Sequence, residues 1–176
     1  SLDGGTQIHG TVAVKEIKVP VNQKQKNRLV QEVSALRALQ SSHYGNTSGS
    51  TCKTYVIKLH DAYLFQQGAD RKLWLVMEWA GNGPLTDTVT KVRLTEPQMS
   101  VVVRQLLVAV RQCHIMGWLH RDIKSDNVLV MADGGCRLAD FGAACSVLDC
   151  QDTSSGHVGT PHWTAPEAIR ENKWST

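Results

Sequence analysis

An α+β fold in two lobes is what the sequence predicts, on three observations. Strand-like segments come first, and helices and loops follow, so the order is not that of repeated βαβ units. One helical pattern sits among the early strands, and another opens the later part. The composition, 41% apolar and 20% charged over 176 residues, is that of a folded chain and not a disordered one. A chain of this length corresponds to about one domain and can bury a core without staples.

The elements follow in order. Residues 11–19 form a β-branched run that reads as a strand, and Pro20 closes it. Residues 22–40 read as a helix with Leu29, Val33, Leu36 and Leu39 on one face. Residues 41–54 are polar and rich in Gly, Ser and Thr, which predicts a flexible insert. Strands are expected at about 55–65 and 72–79, with the turn at residues 66–70. Gly81, Asn82, Gly83 and Pro84 make a clear break. Thr95 looks like an N-cap with Gln98 as its capping-box partner. The helix behind it carries Met99, Val103, Leu106, Val110 and Cys113 at helical spacing and stops near Gly117. Beyond it, short apolar runs at 128–131 and 136–139 alternate with charged turns.

Composition excludes several classes. A net charge of +3 is too small to imply nucleic acid. No apolar run approaches the ~18 residues of a membrane span. The first residues do not form a signal peptide, and residue 1 is Ser rather than Met, so a natural start there is not implied. Five cysteines, an odd count, favour free thiols in a reducing compartment over a disulfide framework. Residues 15–28 are basic and residues 140–176 acidic; solvated surface accounts for both.

Residues 120–127 read His120, Arg121, Asp122, Ile123, Lys124, Ser125, Asp126, Asn127. Asp140, Phe141 and Gly142 follow, then Gly159, Thr160 and Pro161, then Ala165, Pro166 and Glu167. Upstream stand Val12, Ala13, Val14 and Lys15. In this order and spacing the set resembles the eukaryotic protein kinase family, whose signatures are V-A-I-K, H-R-D-x-x-x-x-N, D-F-G and A-P-E. The resemblance implies a two-lobed protein-kinase-like fold, truncated at both ends. Residues 1–79 would be a partial β-rich N-lobe, 80–84 the hinge, and 85–176 the first part of a helical C-lobe.

Phosphoryl transfer depends on positioning and charge neutralisation, because its transition state is loose. The resemblance implies ATP and Mg²⁺ as cofactors, with Asn127 and Asp140 as the metal's oxygen ligands. Asp122 matches the carboxylate that accepts the substrate hydroxyl's proton, and Lys124 would sit near the transferred phosphate. Lys15 would pair with the α- and β-phosphates. Glu32, on the 22–40 helix, is the candidate partner for Lys15; a surface pair with Arg28 is the competing reading. Ala13 and Leu129 would sandwich the adenine, Met77 would guard the back of the pocket, and backbone groups of Glu78 and Ala80 would bond the adenine edge. Leu36, Leu59, His120 and Phe141 would stack as an internal column, which is equally a plain core.

Lys124 and Thr160 match the serine/threonine pattern, most like the STE group. His162 and Thr164 depart from that group's usual Tyr and Met, at the substrate docking surface. The implied partner is a protein carrying Ser or Thr, with no nucleic acid and no membrane, in the cytoplasm. An upstream kinase would act at Thr153, Ser154 or Ser155, and its phosphate would pair with Arg121. A zinc site from Cys145, Cys150, His157 and His162 is the rival for that stretch, although its middle spacer is much shorter than the usual ~12 residues.

A Gly-rich loop is expected before Lys15, but residues 1–11 hold three Gly at the wrong spacing. Further helices are expected after Glu167. The chain alone is therefore expected to be poorly stable and nearly inactive. Two other functions fit the same motifs: a pseudokinase-like binding or scaffold module, and a kinase of small molecules, which normally lacks the Ala165–Glu167 segment.

Overall fold

The computed structural model describes residues 10–41, 54–68, 70–150, 158–171 and 174. The small lobe is a three-stranded antiparallel sheet with one helix. Strands β1 (Val12–Lys18), β2 (Leu59–Gln67) and β3 (Asp70–Glu78) lie in the order β1-β3-β2. Ala13 stands opposite Met77 and Lys15 opposite Leu75, so these residues share one face of the sheet. Helix α1 (Gln23–Ser41) lies across that face, and the Asn22 side chain caps it by accepting the Lys24 N–H at 2.8 Å.

The large lobe opens with α2 (Leu85–Lys91) and α3 (Glu96–Ile115). Two short antiparallel ladders follow. β4 (Trp118–Leu119) pairs with β7 (Cys145–Ser146), and β5 (Val128–Val130) pairs with β6 (Cys136–Leu138). Between them these ladders pin both ends of two loops, 120–127 and 139–144. Helix α4 (Pro166–Glu171) comes last. The core lies where α1, β3, α3 and β6 meet, around Leu36, Leu39, Leu75, Ala109 and Leu138.

Several sequence expectations shift. The strand expected from residue 55 starts at Leu59, because residues 55–57 cross to the large lobe instead. There the Ile57 N–H donates to Leu138 O (2.9 Å) and the Leu138 N–H to Tyr55 O (2.7 Å). Helix α2 has no counterpart in the sequence reading. Its seven residues include three Thr, poor helix formers, and little but Asp87 and Lys91 at its ends favours it. The stripe of α1 divides: Leu36 and Leu39 are buried, whereas Leu29 and Val33 are half-buried. On α3 the capping bond is present, the Thr95 N–H donating to Gln98 Oε1 at 2.8 Å. Only the C-terminal half of its expected face is covered. Cys113 is buried, while Met99 and Val103 are exposed.

The expectation of free thiols holds for Cys113 and Cys136 and fails for Cys145, which is bonded to Cys150. A turn in which the Cys150 N–H donates to Ser146 O (3.0 Å) brings their Cα atoms to 5.9 Å, within disulfide reach. That pairing consumes both sulfur ligands of the rival zinc site, and no metal-ligating cluster occurs among the described residues. No helix among them is long and apolar enough to cross a membrane. The insert at 42–53 and residues 151–157, with Thr153, Ser154, Ser155 and His157, lie outside the described residues.

Candidate active site

A cavity of about 410 Å³ opens between the two lobes. Ala13, Met77 and Ala80 line it from the small lobe and the strand leading out of it. Leu129 and Ala139 line it from the large lobe, and Lys15, Glu32, Asn127 and Asp140 are at its polar end. The connection between the lobes is held by backbone bonds: the Asn82 N–H donates to Val130 O (3.1 Å) and the Val130 N–H to Gly83 O (2.8 Å). Gly83, in the expected break, has φ +69°, a left-handed conformation that glycine adopts without strain.

Lys15 is held between two carboxylates. Its Nζ lies 2.7 Å from Glu32 Oε1 and 2.9 Å from Asp140 Oδ1. Glu32 is buried and faces Lys15 across the helix–sheet interface, so the pair is internal and not a surface match with Arg28. Burial pulls the Lys15 pKa down, but the Glu32 charge and the bonds to both carboxylates outweigh it and raise it. For Asp140, burial pushes upward, and the Lys15 bond and charge hold the carboxyl below its ordinary value.

The second cluster is built on the 120–127 loop. Asp122 Oδ1 accepts the Thr160 hydroxyl at 2.7 Å, and Lys124 Nζ lies 3.1 Å from Asp122 Oδ2. Lys124 also donates to Thr160 Oγ1 at 2.7 Å, so the hydroxyl bridges acid and base. Asn127 Nδ2 donates to the Asp122 carbonyl (2.7 Å) and to Oδ2 (3.0 Å). Burial opposes ionisation of Asp122, yet the bonds from Thr160, Lys124 and Asn127 hold its pKa below the usual carboxylate value. At neutral pH it is an ionised acceptor fixed in place by three donors.

Two non-glycine residues at this site have left-handed backbones, Arg121 (φ 65°) and Asp140 (φ 59°). Such conformations cost energy and concentrate at functional loops. Both are over-determined here. The Arg121 Nε donates to Ala143 O at 2.8 Å, and its guanidinium lies over the Trp174 ring at 6.0 Å. At Gly159 (φ +92°) a Cβ would come within 2.5 Å of Arg121 O, so only glycine fits.

Beneath the loops, Leu36, Leu59, His120 and Phe141 are all buried, and the His120 and Phe141 rings meet edge-on at 4.8 Å. His120 Nε2 lies 2.9 Å from Ala139 O, and Nδ1 accepts the Asp122 N–H at 3.3 Å. That network assigns the neutral tautomer with hydrogen on Nε2. Burial, its largest influence, pushes the His120 pKa below 6.5. The folded chain thus holds His120 neutral while the unfolded chain takes up a proton as pH falls through 6.5. Stability should fall below pH 6.5, with a slope of up to ~1.4 kcal/mol per pH unit from this group. Urea unfolding at pH 7.5, 6.5 and 5.5 measures it. His120→Asn should flatten that part of the profile; an unchanged slope in the variant contradicts this assignment.

The structure brings together Ala13, Lys15, Glu32, Met77, Glu78, Ala80, Asn127, Leu129 and Asp140 around one cavity, with Asp122 and Lys124 linked to it through Asn127. The bridge made by Thr160 was not foreseen, since 38 residues separate it from Asp122. The only hint was Thr160 in Gly-Thr-Pro. Also unforeseen is the Glu78 side chain, which accepts from Lys58 N–H (2.8 Å) and meets Arg137 Nε at 3.3 Å, tying the lobe connection to β6. His162 and Trp163 stand exposed beside the site, and Thr164 Oγ1 donates to Thr160 O at 2.9 Å.

Comparison with known proteins agrees with this geometry. The family model described as "Protein kinase domain" matches residues 6–176. The serine/threonine-protein kinase ste20 of Emericella nidulans is 35% identical over 163 residues, covering 93% of this chain and 17% of that protein. The kinase pak-2 of Caenorhabditis elegans is 36% identical over 165 residues, 94% of this chain and 28% of its own length. The kinase pakC of Dictyostelium discoideum is 35% identical over 162 residues, 90% of this chain and 30% of its own length. The chain thus spans under a third of each of these relatives. The chain belongs to the protein kinase family, and these relatives are serine/threonine kinases of the Ste20 and PAK type, in the STE group.

Proposed function

We propose that this chain binds ATP with Mg²⁺ between its lobes and transfers the γ-phosphate to a Ser or Thr hydroxyl of a protein. The observation that carries the reading is the charged cluster Lys15–Glu32–Asp140 at one end of an apolar cavity, with a second cluster, Asp122–Lys124–Thr160, joined to the cavity wall through Asn127. In this reading residues 1–79 act as the small lobe, 80–84 as the hinge and 85–176 as the large lobe.

Each residue has a role that its surroundings support. Ala13 and Leu129 enclose the adenine, and Met77 closes the back of its pocket. Backbone groups of Glu78 and Ala80 bond the adenine edge. Lys15, steadied by Glu32, neutralises the α- and β-phosphates. Asn127 and Asp140 present hard oxygen donors that suit Mg²⁺. Asn127 commits its Nδ2 to Asp122, which leaves its Oδ1 to serve as that donor. Held by Asn127 and Asp140, the ion would supply positive charge that neutralises the phosphates. Asp122 accepts the proton of the attacking hydroxyl, and Lys124 offsets charge on the phosphate in transit. Thr160 keeps Asp122 and Lys124 aligned before the substrate arrives.

An activating kinase would phosphorylate Thr153, Ser154 or Ser155, close in sequence to the site. A cytoplasmic location belongs to the same proposal. The test is incubation of the purified chain with radiolabelled ATP, Mg²⁺ and three peptides differing only in Ser, Thr or Tyr at the centre. Slow labelling of the Ser and Thr peptides but not of the Tyr peptide is the expected outcome. Label on Tyr alone, or hydrolysis of ATP without peptide labelling, would contradict it.

A further inference from the structure

The bonded pair Cys145–Cys150 takes no part in the site between the lobes, yet it lies next to it in the chain. Cys145 follows the 139–144 loop that carries Asp140, and it stands opposite Leu119, the residue before His120, in the β4–β7 ladder. The two ends of the bond differ. Cys145 is 3% exposed, whereas Cys150 is half-buried. Val147, Leu148 and Asp149 between them face water.

The bond is not what places Cys145. The ladder to Leu119 does that, and the Val147 N–H continues it by donating to Gly117 O at 2.9 Å. What the bond places is Cys150, at the end of a turn in which the Asp149 and Cys150 N–H groups both donate to Ser146 O at 3.0 Å. A bridge over so short a loop removes little entropy from the unfolded chain, so it is a weak staple for the fold. A disulfide with one accessible sulfur and little structural duty is the kind that exchanges. Cys113 and Cys136 make the contrast. Both are buried free thiols, and burial pushes both upward, Cys113 to about 12, so neither readily forms the reactive thiolate.

We propose that Cys145 and Cys150 form a reversible thiol–disulfide site, exchanged by a small thiol and its disulfide of the glutathione class, and that opening it frees the turn 148–150 while the β4–β7 ladder stays. Opening begins when the thiolate of the small thiol attacks Cys150 Sγ. A mixed disulfide forms there, and Cys145 leaves as a thiolate and takes up a proton. A second small thiolate attacks the small-thiol sulfur of the mixed disulfide. That releases the oxidised small disulfide and the Cys150 thiolate, which is protonated in turn. Two small thiols thus supply the two electrons that reduce the protein bond. Closing is the same sequence reversed, with the small disulfide as oxidant. The inference does not depend on phosphoryl transfer, since thiols are counted without nucleotide.

The test equilibrates the 176-residue chain, without denaturant, in glutathione buffers from fully reduced to fully oxidised. Acid quenching, alkylation of the denatured chain and peptide mapping then read the two cysteines. The closed fraction should pass through one half within that range, with an unchanged circular dichroism spectrum. A bond closed at every ratio would make it a permanent staple, and a bond open at every ratio would deny the pairing; either overturns the proposal. So does loss of the folded spectrum on opening. Hydrogen exchange at Asp149 and Cys150 should be at least about tenfold faster in the open form, with Val147 unchanged. Equal exchange in both forms contradicts release of the turn. In oxidised buffer Cys145→Ser should carry one glutathione on Cys150, and Cys150→Ser should carry none on Cys145. The reverse pattern overturns the assignment of Cys150 as the attacked sulfur.

Discussion

Replacing Asp122 by Asn is expected to lower the rate of γ-phosphoryl transfer by about 10²–10⁴-fold, the contribution typical of a positioned general base. The amide keeps the size of the carboxylate but cannot take the proton. Thr160, Lys124 and Asn127 all donate to this one carboxylate, so its charge is what the loop is built around. Affinity for ATP should change by no more than about twofold, because Asp122 is not part of the wall described for the cavity. Assays at high chain concentration read slow turnover of the wild type as well as its loss. A variant that labels Ser peptides at the wild-type rate would remove Asp122 from its proposed role.

Phe141→Ala should produce the largest loss of stability, about 3–5 kcal/mol. Phe141 is fully buried, between α1 and His120, and it immediately follows the left-handed Asp140. Truncation leaves a void that neighbours on three elements cannot fill together. A loss of this size is a large part of the ~5–15 kcal/mol of an ordinary domain. Denaturant unfolding of the two chains checks it. A cost under ~1 kcal/mol would mean that Phe141 does not hold the two lobes together.

Much of this was legible in the sequence, for reasons visible at particular residues. The motifs around Lys15, Asp122 and Asp140 lie on short segments whose local pattern is strong. Their side chains meet because β1, the 120–127 loop and the 139–144 loop end at one cavity. Helices α1 and α3 followed from periodicity, and α3 also from its cap at Thr95. What escaped depends on contacts between distant segments. Residues 55–57 carry a strand-like composition, yet they bond to Leu138 and leave the sheet to start at Leu59. Thr160 reaches Asp122 across 38 residues, which no local pattern encodes. Cys145 and Cys150 looked like free thiols from an odd count, and only the turn at Ser146 shows that they can pair. The stripe on α1 looked like one buried face, and only Leu36 and Leu39 of it are buried.

The sheet's outer side also departs from a plain solvated face. Phe65 packs on Trp74 at 4.4 Å, and the Trp74 indole donates to Glu16 at 2.9 Å. Glu16 also meets Lys72 at 2.8 Å. These contacts tie β1, β2 and β3 together on the side away from α1, so the strand bearing Lys15 is fixed from both faces.

Calorimetric titration of ATP, with and without Mg²⁺, into the wild-type chain and Asp140→Asn tests the nucleotide site most directly. Saturable binding at one site is expected in the wild type, strengthened by Mg²⁺, with that strengthening lost in Asp140→Asn. Absence of binding by the wild type, or an equal Mg²⁺ response in the variant, would contradict the assignment of the cavity between the lobes as an ATP site.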